Sequence, residues 1–445
     1  MNRPALLAAA AAASAALFTA ACDSSPANTA DAAPAATADA APAADGGPAA
    51  GDPRDILTTA LTLDVTALTG HAAITIAPSD TSTTASFEAK GLTVTAVSNA
   101  DGPLPFTVTD GRLDVTVAKG GSAPLAIDVD YGFAVQHNFD GYLTEGLTFL
   151  WPYFCSNLFP CKSGPDDGVR FSLDVTGVPA GKTAIYPHQI PGDAPSYMLA
   201  FAIDDYTQLD LGATDAGTKV HVWYRPGEQA IATAATTHLR DEFDFYEKTY
   251  GAYSYGDDVG SVSANWGPGA VGGMEHHPYW HVGEMNRAEI HAHEAAHGWY
   301  GDGVRIACWE DFVLSEGTVS YLAARAIEAE DSVDAGNAIW TSYQSRLSSA
   351  ILFGDTPAWP DGCDSIDLLH DKLWSDIPYM KGAFFYRAVE QQIGRPMLDK
   401  VLHDFYLAHV GKAATMQDMI DAIHTTSGFD AMPLAQGWLK QLGHP

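Results

Sequence analysis

The apolar residues of this chain change their period once, near residue 206, and that change divides the chain into two kinds of fold. Upstream, Leu61, Leu63 and Val65 alternate with Thr62, Asp64 and Thr66. The same period of two recurs at Ile74-Thr75-Ile76, Leu92-Thr93-Val94 and Leu113-Asp114-Val115-Thr116-Val117. Alternate side chains of a strand point to opposite faces, so this pattern buries one face and wets the other. Asp110-Gly111 lies between two such runs, a hairpin signal. Residues 55–205 are therefore expected to form an antiparallel β domain. Downstream, Val220-His221-Val222-Trp223-Tyr224 fits a strand that ends before Pro226. Leu239, Phe243, Tyr246 and Tyr250 then recur at helical spacing within 229–250. Further helices are expected over 287–301, 314–330, 337–352, 379–393 and 397–409. Residues 206–445 thus form a mainly helical lobe with a short sheet, and the fold class is α+β.

The first 22 residues have the layout of an export signal. Arg3 precedes an Ala/Leu stretch from Ala5 to Ala16, and Leu17-Phe18-Thr19-Ala20-Ala21-Cys22 follows. The apolar run is too short for a spanning helix with normal flanks. Small residues before Cys22 resemble a bacterial lipoprotein processing site, which makes Cys22 a candidate for lipidation. The alternative is an ordinary cleaved signal with an incidental cysteine. Residues 23–54 are an Ala/Pro/Asp tract with almost no large apolar side chain, so they cannot offset their ordering entropy and are expected to act as a tether. On the lipoprotein reading the chain is expected to be an exported protein of the bacterial cell envelope, periplasmic or at the cell surface, and held to the membrane through lipid alone.

Charge narrows the partners. The formal net charge is −32, from 55 acidic and 23 basic residues. Nucleic acid is disfavoured, because phosphates need a basic face, and so is adhesion to anionic lipid. Beyond Cys22 there are four cysteines, Cys155, Cys161, Cys308 and Cys363, which allow three full pairings in an oxidising compartment. Cys155–Cys161 with Cys308–Cys363 is the favoured one. No CxxC pair points to cysteine-bound zinc.

The chemistry concentrates at His293-Glu294-Ala295-Ala296-His297. Two histidines at i and i+4 share one helix face, so both rings reach one ion. Zinc accepts imidazole nitrogen readily, and Glu294 beside them can take the proton of a water that the metal activates. Gly301, Asp302 and Gly303 end that helix. A second helical pattern from Leu314 carries Glu316, which lets the chain turn back with a third ligand. Three protein ligands with an open position define a catalytic zinc site.

His293-Glu294-x-x-His297, eighteen residues, then Glu316 is similar to the zinc pattern of the membrane alanyl aminopeptidase family, which also contains leukotriene hydrolase. The surrounding HEAAHGWYGD and WEDFVLSEG resemble it too, with Ser315 where the family has Asn. Gly272-Gly273-Met274-Glu275-His276 resembles the family's GxMEN segment, His276 replacing Asn. There the resemblance implies that Glu275 binds the substrate's free α-amine and that the backbone of Gly272, Gly273 and Met274 runs beside the peptide. Ile377-Pro378-Tyr379-Met380-Lys381-Gly382 resembles the PYxKG segment, which implies that Tyr379 donates to the developing oxyanion. FDFYEKTYGAYSYG at 243–256, Phe159-Pro160-Cys161 and the last eight residues extend the likeness, which spans about 390 residues outside the signal and tether.

The resemblance implies a gluzincin zinc peptidase whose 206–445 lobe is thermolysin-like, with one Zn²⁺ per chain and peptides as substrates. Two departures stand out. The family's C-terminal helical domain is absent from this sequence, and no Gln lies near Phe149, where the family places one to assist at the amine. The leading expectation is an aminopeptidase. The alternatives are an endopeptidase with an open cleft and a catalytically silent, lipid-anchored binding protein. His276, His277, His281 and His291 crowd the region without a spacing that singles out a second metal.

Overall fold

The computed structural model describes residues 54–118, 122–137, 140–143, 148–150, 153–266, 272–363, 365–366 and 375–445. The expected signal, Cys22 and all but the last residue of the expected tether lie outside them. No helix of the described residues is long and apolar enough to cross a membrane.

The first half of the chain is built on a seven-stranded sheet. Its strands run in the order Gln189–Ala194, Val169–Thr176, Ile56–Asp64, Thr69–Ile76, Leu125–Gly132, Thr93–Asn99 and Gly102–Pro103. Neighbours are antiparallel except Ile56–Asp64 with Val169–Thr176, which run parallel. The expectation of an antiparallel domain misses this pair because over a hundred residues separate the two strands, and local alternation says nothing of direction across such a gap. Along Val169–Thr176 buried residues alternate with more exposed ones, as a half-buried strand requires. A three-stranded sheet of Thr84–Glu88, Arg112–Thr116 and Phe106–Thr109 supplies Ala85, Phe87, Leu113 and Val115 to the same core as Leu61, Leu63, Ile74, Ile127 and Val129. Each large apolar side chain buried there contributes about 1.5–3 kcal/mol. Cys155 and Cys161 form a disulfide beside that core.

The second half begins with a five-stranded sheet in the order Thr207–Ala213, Lys219–Tyr224, Asp258–Ser263, Tyr279–Val282 and Gly273–Met274. The middle three strands are mutually parallel. The helices among the described residues include α1 Gln229–Ala235, α2 Leu239–Tyr250, α3 Ala288–Ala296, α4 Phe312–Glu330, α5 Val333–Gly354, α6 Asp376–Ile393 and α7 Arg395–His409, which follow the period seen in the sequence, and α8 Met416–Ser427, which the sequence reading does not expect. The single helix expected over 229–250 is two. Thr236 and Thr237 bond back to the carbonyls of Ala232 and Thr233, and these β-branched residues interrupt the ladder. Side chains of Ser332 and Ser375 cap α5 and α6, which start earlier than the apolar period alone indicates.

The two halves share contacts. Trp223, Tyr255, Val262 and Met274 of the second half pack into the core of the first. The Arg305 guanidinium donates to the carbonyls of Asp166, Asp193 and Gly411, at 3.2, 2.8 and 3.2 Å. Within the helical lobe, α4 and α6 touch backbone to backbone. A Cβ on Gly317 would stand 2.7 Å from the Gly382 Cα, and one on Gly382 would stand 2.4 Å from the Gly317 Cα.

Candidate active site

Helix α3 carries His293 and Glu294, with His297 at its C-terminal cap, and all three side chains are buried. The i, i+4 spacing brings the His293 and His297 Nε2 atoms 3.3 Å apart. Helix α4 sends Glu316 back to meet them, with Oε2 3.1 Å from His293 Nε2 and 3.4 Å from His297 Nε2. Zinc–nitrogen and zinc–oxygen bonds of about 2.0–2.1 Å in a tetrahedron imply ligand–ligand edges of roughly 3.3–3.4 Å. The donor set therefore fits Zn²⁺ in both chemistry and spacing. His297 Nδ1 donates to the Tyr300 carbonyl at 3.1 Å, which fixes the tautomer and leaves the Nε2 lone pair facing the other two ligands. Burial would raise the Glu316 carboxyl, but His297 and His293 hold it below its ordinary value, so it stays ionised.

The helix stops at Ala296, earlier than the expected 301, and its last carbonyls need other partners. Gly298 N–H donates to Ala295, and Trp299 N–H to Ala296. His277 Nε2 donates to the Glu294 carbonyl at 2.8 Å, and the Tyr246 hydroxyl to that of Ala292 at 2.9 Å. A carbonyl can only accept, so His277 Nε2 carries the proton and the Tyr253 hydroxyl donates to its Nδ1 at 2.7 Å. Burial pushes His277 down to about 3, so the ring stays neutral in this role.

The segment 272–275 enters from the sheet. Gly272 has φ +91°, a left-handed conformation that a side chain would strain. Gly273 lies so close to Glu294 that a Cβ there would stand 2.4 Å from Glu294 Oε1. Met274 pairs with His281 in the last two strands of the sheet. Glu275 follows, buried, and ligand atoms of Glu275, Glu294 and His297 all lie within 4.8 Å of one another. Burial pushes the Glu275 carboxyl upward, with His297 opposing and Glu316 adding to the rise. Tyr197 donates to Glu275 Oε1 at 2.8 Å. Beside them a cleft is walled by Ile306, Trp309 and Phe312.

Tyr379 sits in the first turn of α6, with its ring 6.1 Å from that of His293 and 5.8 Å edge-on from that of Phe312. Its helix is fixed to the ligand helix by Arg346 of α5, which donates to Asp376 Oδ1 at 2.9 and 2.5 Å and to Glu289 Oε1 at 2.9 Å. Lys381 is fully buried and ties α6 to the C-terminal segment through Asp355, Thr356 and Gln441.

The structure thus brings together every site residue singled out in the sequence within the described region: Gly272, Gly273, Met274, Glu275, His293, Glu294, His297, Glu316 and Tyr379. The neighbouring histidines are engaged elsewhere, His276 with His281 at 3.0 Å and His291 with the Ser261 hydroxyl and the Met285 carbonyl. The favoured disulfides are both present, the second joining Cys308 to Cys363. Tyr197, His277 and Arg346 escape a sequence reading. Tyr197 looks like one more core residue in an apolar run, and Arg346 like a solvated helix charge. Asp302, which contacts Tyr197, reads as a helix breaker. A polar residue inside each apolar stretch is the signal that was there to follow.

Comparison with known proteins agrees with this geometry. Residues 282–438 match the family described as Peptidase family M1 domain. The chain is 24% identical over 406 residues to aminopeptidase N of Lactobacillus delbrueckii subsp. lactis, a match over 80% of this chain and 47% of that protein. It is 26% identical over 286 residues to leucine aminopeptidase 2 of Chaetomium globosum, over 56% of this chain and 44% of that protein. The chain thus spans about half the length of the curated relatives it matches. In fold it is similar to the M1 zinc metallopeptidase of Deinococcus radiodurans, at TM-score 0.74 and 18% identity over 88% of this chain and 94% of that one. A mutant of that enzyme bound to a Tyr-Ser-Ala substrate superposes at TM-score 0.75 with 18% identity, over 88% of this chain and 95% of that one. Yeast LTA4 hydrolase in complex with bestatin gives TM-score 0.72 and 17% identity, over 88% of this chain and 68% of that one. With its β domain followed by a helical lobe, the chain has the fold of these M1 zinc metallopeptidase structures, and its residues 282–438 match the M1 peptidase domain.

Proposed function

We propose that this chain hydrolyses peptides from their amino end as a zinc-dependent aminopeptidase, with one zinc ion per chain. The observation that carries the reading is the convergence of His293, His297 and Glu316 at 3.1–3.4 Å, with Glu294, Glu275 and Tyr379 around the same point. When bound, the metal supplies a Lewis acid that acidifies water and polarises a carbonyl. Glu294 takes the proton of the attacking water and passes it to the leaving amine. Tyr379 donates to the carbonyl oxygen as charge gathers there. Glu275 pairs with the substrate's ammonium, which sets the first peptide bond in register with the ligands. The short strand Gly273–Met274 gives the peptide backbone a sheet to extend.

The test uses purified full chain, with its metal counted by elemental analysis, on aminoacyl fluorogenic amides and their N-acetylated partners. One zinc per chain is expected, with activity lost on chelation and restored by zinc. Free-amine substrates should exceed acetylated ones by about tenfold or more, the worth of a charged hydrogen bond in a desolvated place. Full activity in metal-free protein would end the zinc reading. Equal cleavage of both substrates at internal bonds would replace the aminopeptidase by an endopeptidase.

The layout of residues 1–22 supports a lipid anchor at Cys22 and a place in the cell envelope. Cell fractionation tests this: the wild type is expected with membranes and Cys22→Ser in the soluble fraction, whereas wild-type protein already soluble would refute the anchor.

A further inference from the structure

The ligands and carboxylates of the site belong to the helical lobe, but one group in contact with them does not. Tyr197 lies in the turn Ser196–Met198 at the end of the β domain. Its hydroxyl donates to Glu275 Oε1 at 2.8 Å and stands 3.1 Å from Asp302 Oδ1. A phenol has one proton, and the shorter contact assigns it to Glu275. Asp302 is 0% exposed, and its Oδ2 has no hydrogen-bond partner. Arg305 is near Asp302 but directs its donors to the carbonyls of Asp166, Asp193 and Gly411. A phenol is neutral, so its hydrogen bond leaves the charge of Glu275 unbalanced, and an ammonium is the group that would pair with it. Both Tyr197 and Glu275 line the cleft walled by Trp309 and Phe312, so the anchor faces the space where substrate would bind.

We infer that Tyr197 is the positioning residue of the amine anchor: it holds Glu275 Oε1 so that Oε2 faces the first amino group of the substrate, and Asp302 braces the phenol from behind. The inference rests on the aminopeptidase reading and deepens it. A glutamate free to rotate loses rotamer entropy each time it binds, and a neutral donor that fixes one oxygen removes that cost without cancelling the charge. Met274, one residue before Glu275, packs into the core of the β domain. The β domain therefore holds the anchor on both sides, through Met274 and through Tyr197. It supplies the amine site with a donor to the glutamate, in place of a glutamine that would face the substrate.

The test is steady-state kinetics of the zinc-loaded full chain on a matched pair of substrates, one with a free amine and one N-acetylated. Tyr197→Phe removes a single oxygen. It should raise KM for the free-amine substrate by about tenfold, with kcat, zinc content and KM for the acetylated partner as in the wild type. Tyr197→Phe combined with Glu275→Ala should be no worse than Glu275→Ala alone. Asp302→Asn, which keeps the shape behind the phenol, should give the same selective rise at about threefold. A wild-type KM for the free-amine substrate in Tyr197→Phe, or an equal rise for both substrates, would overturn the inference. Loss of amine preference in Glu275→Ala would then show that the aminopeptidase reading survives without it. A wild type with no preference for free amines would overturn both.

Discussion

In the β domain the buried polar side chains are mostly hydroxyls, Thr59, Ser79, Ser86, Ser156 and Ser196, with Arg54 beside the first strand. In the helical lobe the interior holds Glu242, Glu275, Glu289, Glu294, Asp302, Asp311, Glu316, Arg325, Arg346, Asp376 and Lys381, besides six histidines from 276 to 297. Burying a charge is costly unless it is paired, so these residues are a burden on stability far heavier than the one buried charge, Arg54, named in the β domain. The contrast separates two jobs. The β domain folds by putting alternate apolar side chains between two sheets. The helical lobe holds ionisable groups at fixed positions out of water, where their fields act strongly on a substrate.

The largest effect that would sharpen this contrast is on chemistry. Glu294→Gln should retain its zinc and its thermal midpoint yet lose about 10²–10⁴-fold in kcat, because the amide cannot accept the water's proton. Unchanged turnover with zinc still bound would remove Glu294 from the mechanism. Next comes the ionic core itself. Arg346→Ala leaves Glu289 and Asp376 buried without their shared partner, and should lower the unfolding free energy by about 3–5 kcal/mol. Ile127→Val in the β domain should cost only about 0.5–1.5 kcal/mol. Denaturant titration of both variants compares them, and equal losses would erase the distinction drawn here.

The smallest effect concerns pH. Burial, reinforced by Asp331, Glu330 and Asp241, pushes the Glu242 carboxyl up to about 8. Its folded pKa lies above its unfolded value, so the stability it contributes is complete below about 4.5 and is lost as pH rises through about 8. His277, His281 and His291 are pushed the other way by burial, to about 3, 3 and 4, so their contribution is present above the unfolded histidine pKa and is lost as pH falls toward those values. Glu242→Gln should remove the alkaline slope and leave the acid one. Thermal midpoints measured from pH 4 to 9 decide it: wild-type and variant curves that stay parallel above neutral pH would reject the assignment.

The same contrast explains what the sequence reveals. Alternation in the β domain and helical period in the lobe are local, and both survive in the structure, as does the i, i+4 pair His293 and His297. Glu316, Glu275 and Tyr379 are legible through resemblance to a family, whose motifs record contacts between distant segments. What stays hidden is long-range and without a local pattern. The parallel pairing of Ile56–Asp64 with Val169–Thr176 is one such feature. Another is the hydrogen bond across 78 residues from Tyr197 to Glu275. The break in 229–250 was local but obscured, because the apolar spacing continues through Thr236 and Thr237 while their hydroxyls turn inward on the backbone.

The glycine contact between α4 and α6 has a consequence for how finely this site can be adjusted. Glu316 precedes Gly317 and Tyr379 is three residues before Gly382, so the span from the proposed metal ligand to the proposed oxyanion donor is gauged where two chains of backbone meet. Side chains elsewhere in the lobe can change rotamer to absorb a perturbation. Two facing Cα atoms have no such slack, and a single methyl between them would act as a shim of about 1 Å, a displacement of the order that costs about a hundredfold in rate. The gauge of the site is therefore set by residues with nothing to ionise, and drift at that contact would detune the chemistry while every functional group remained in place.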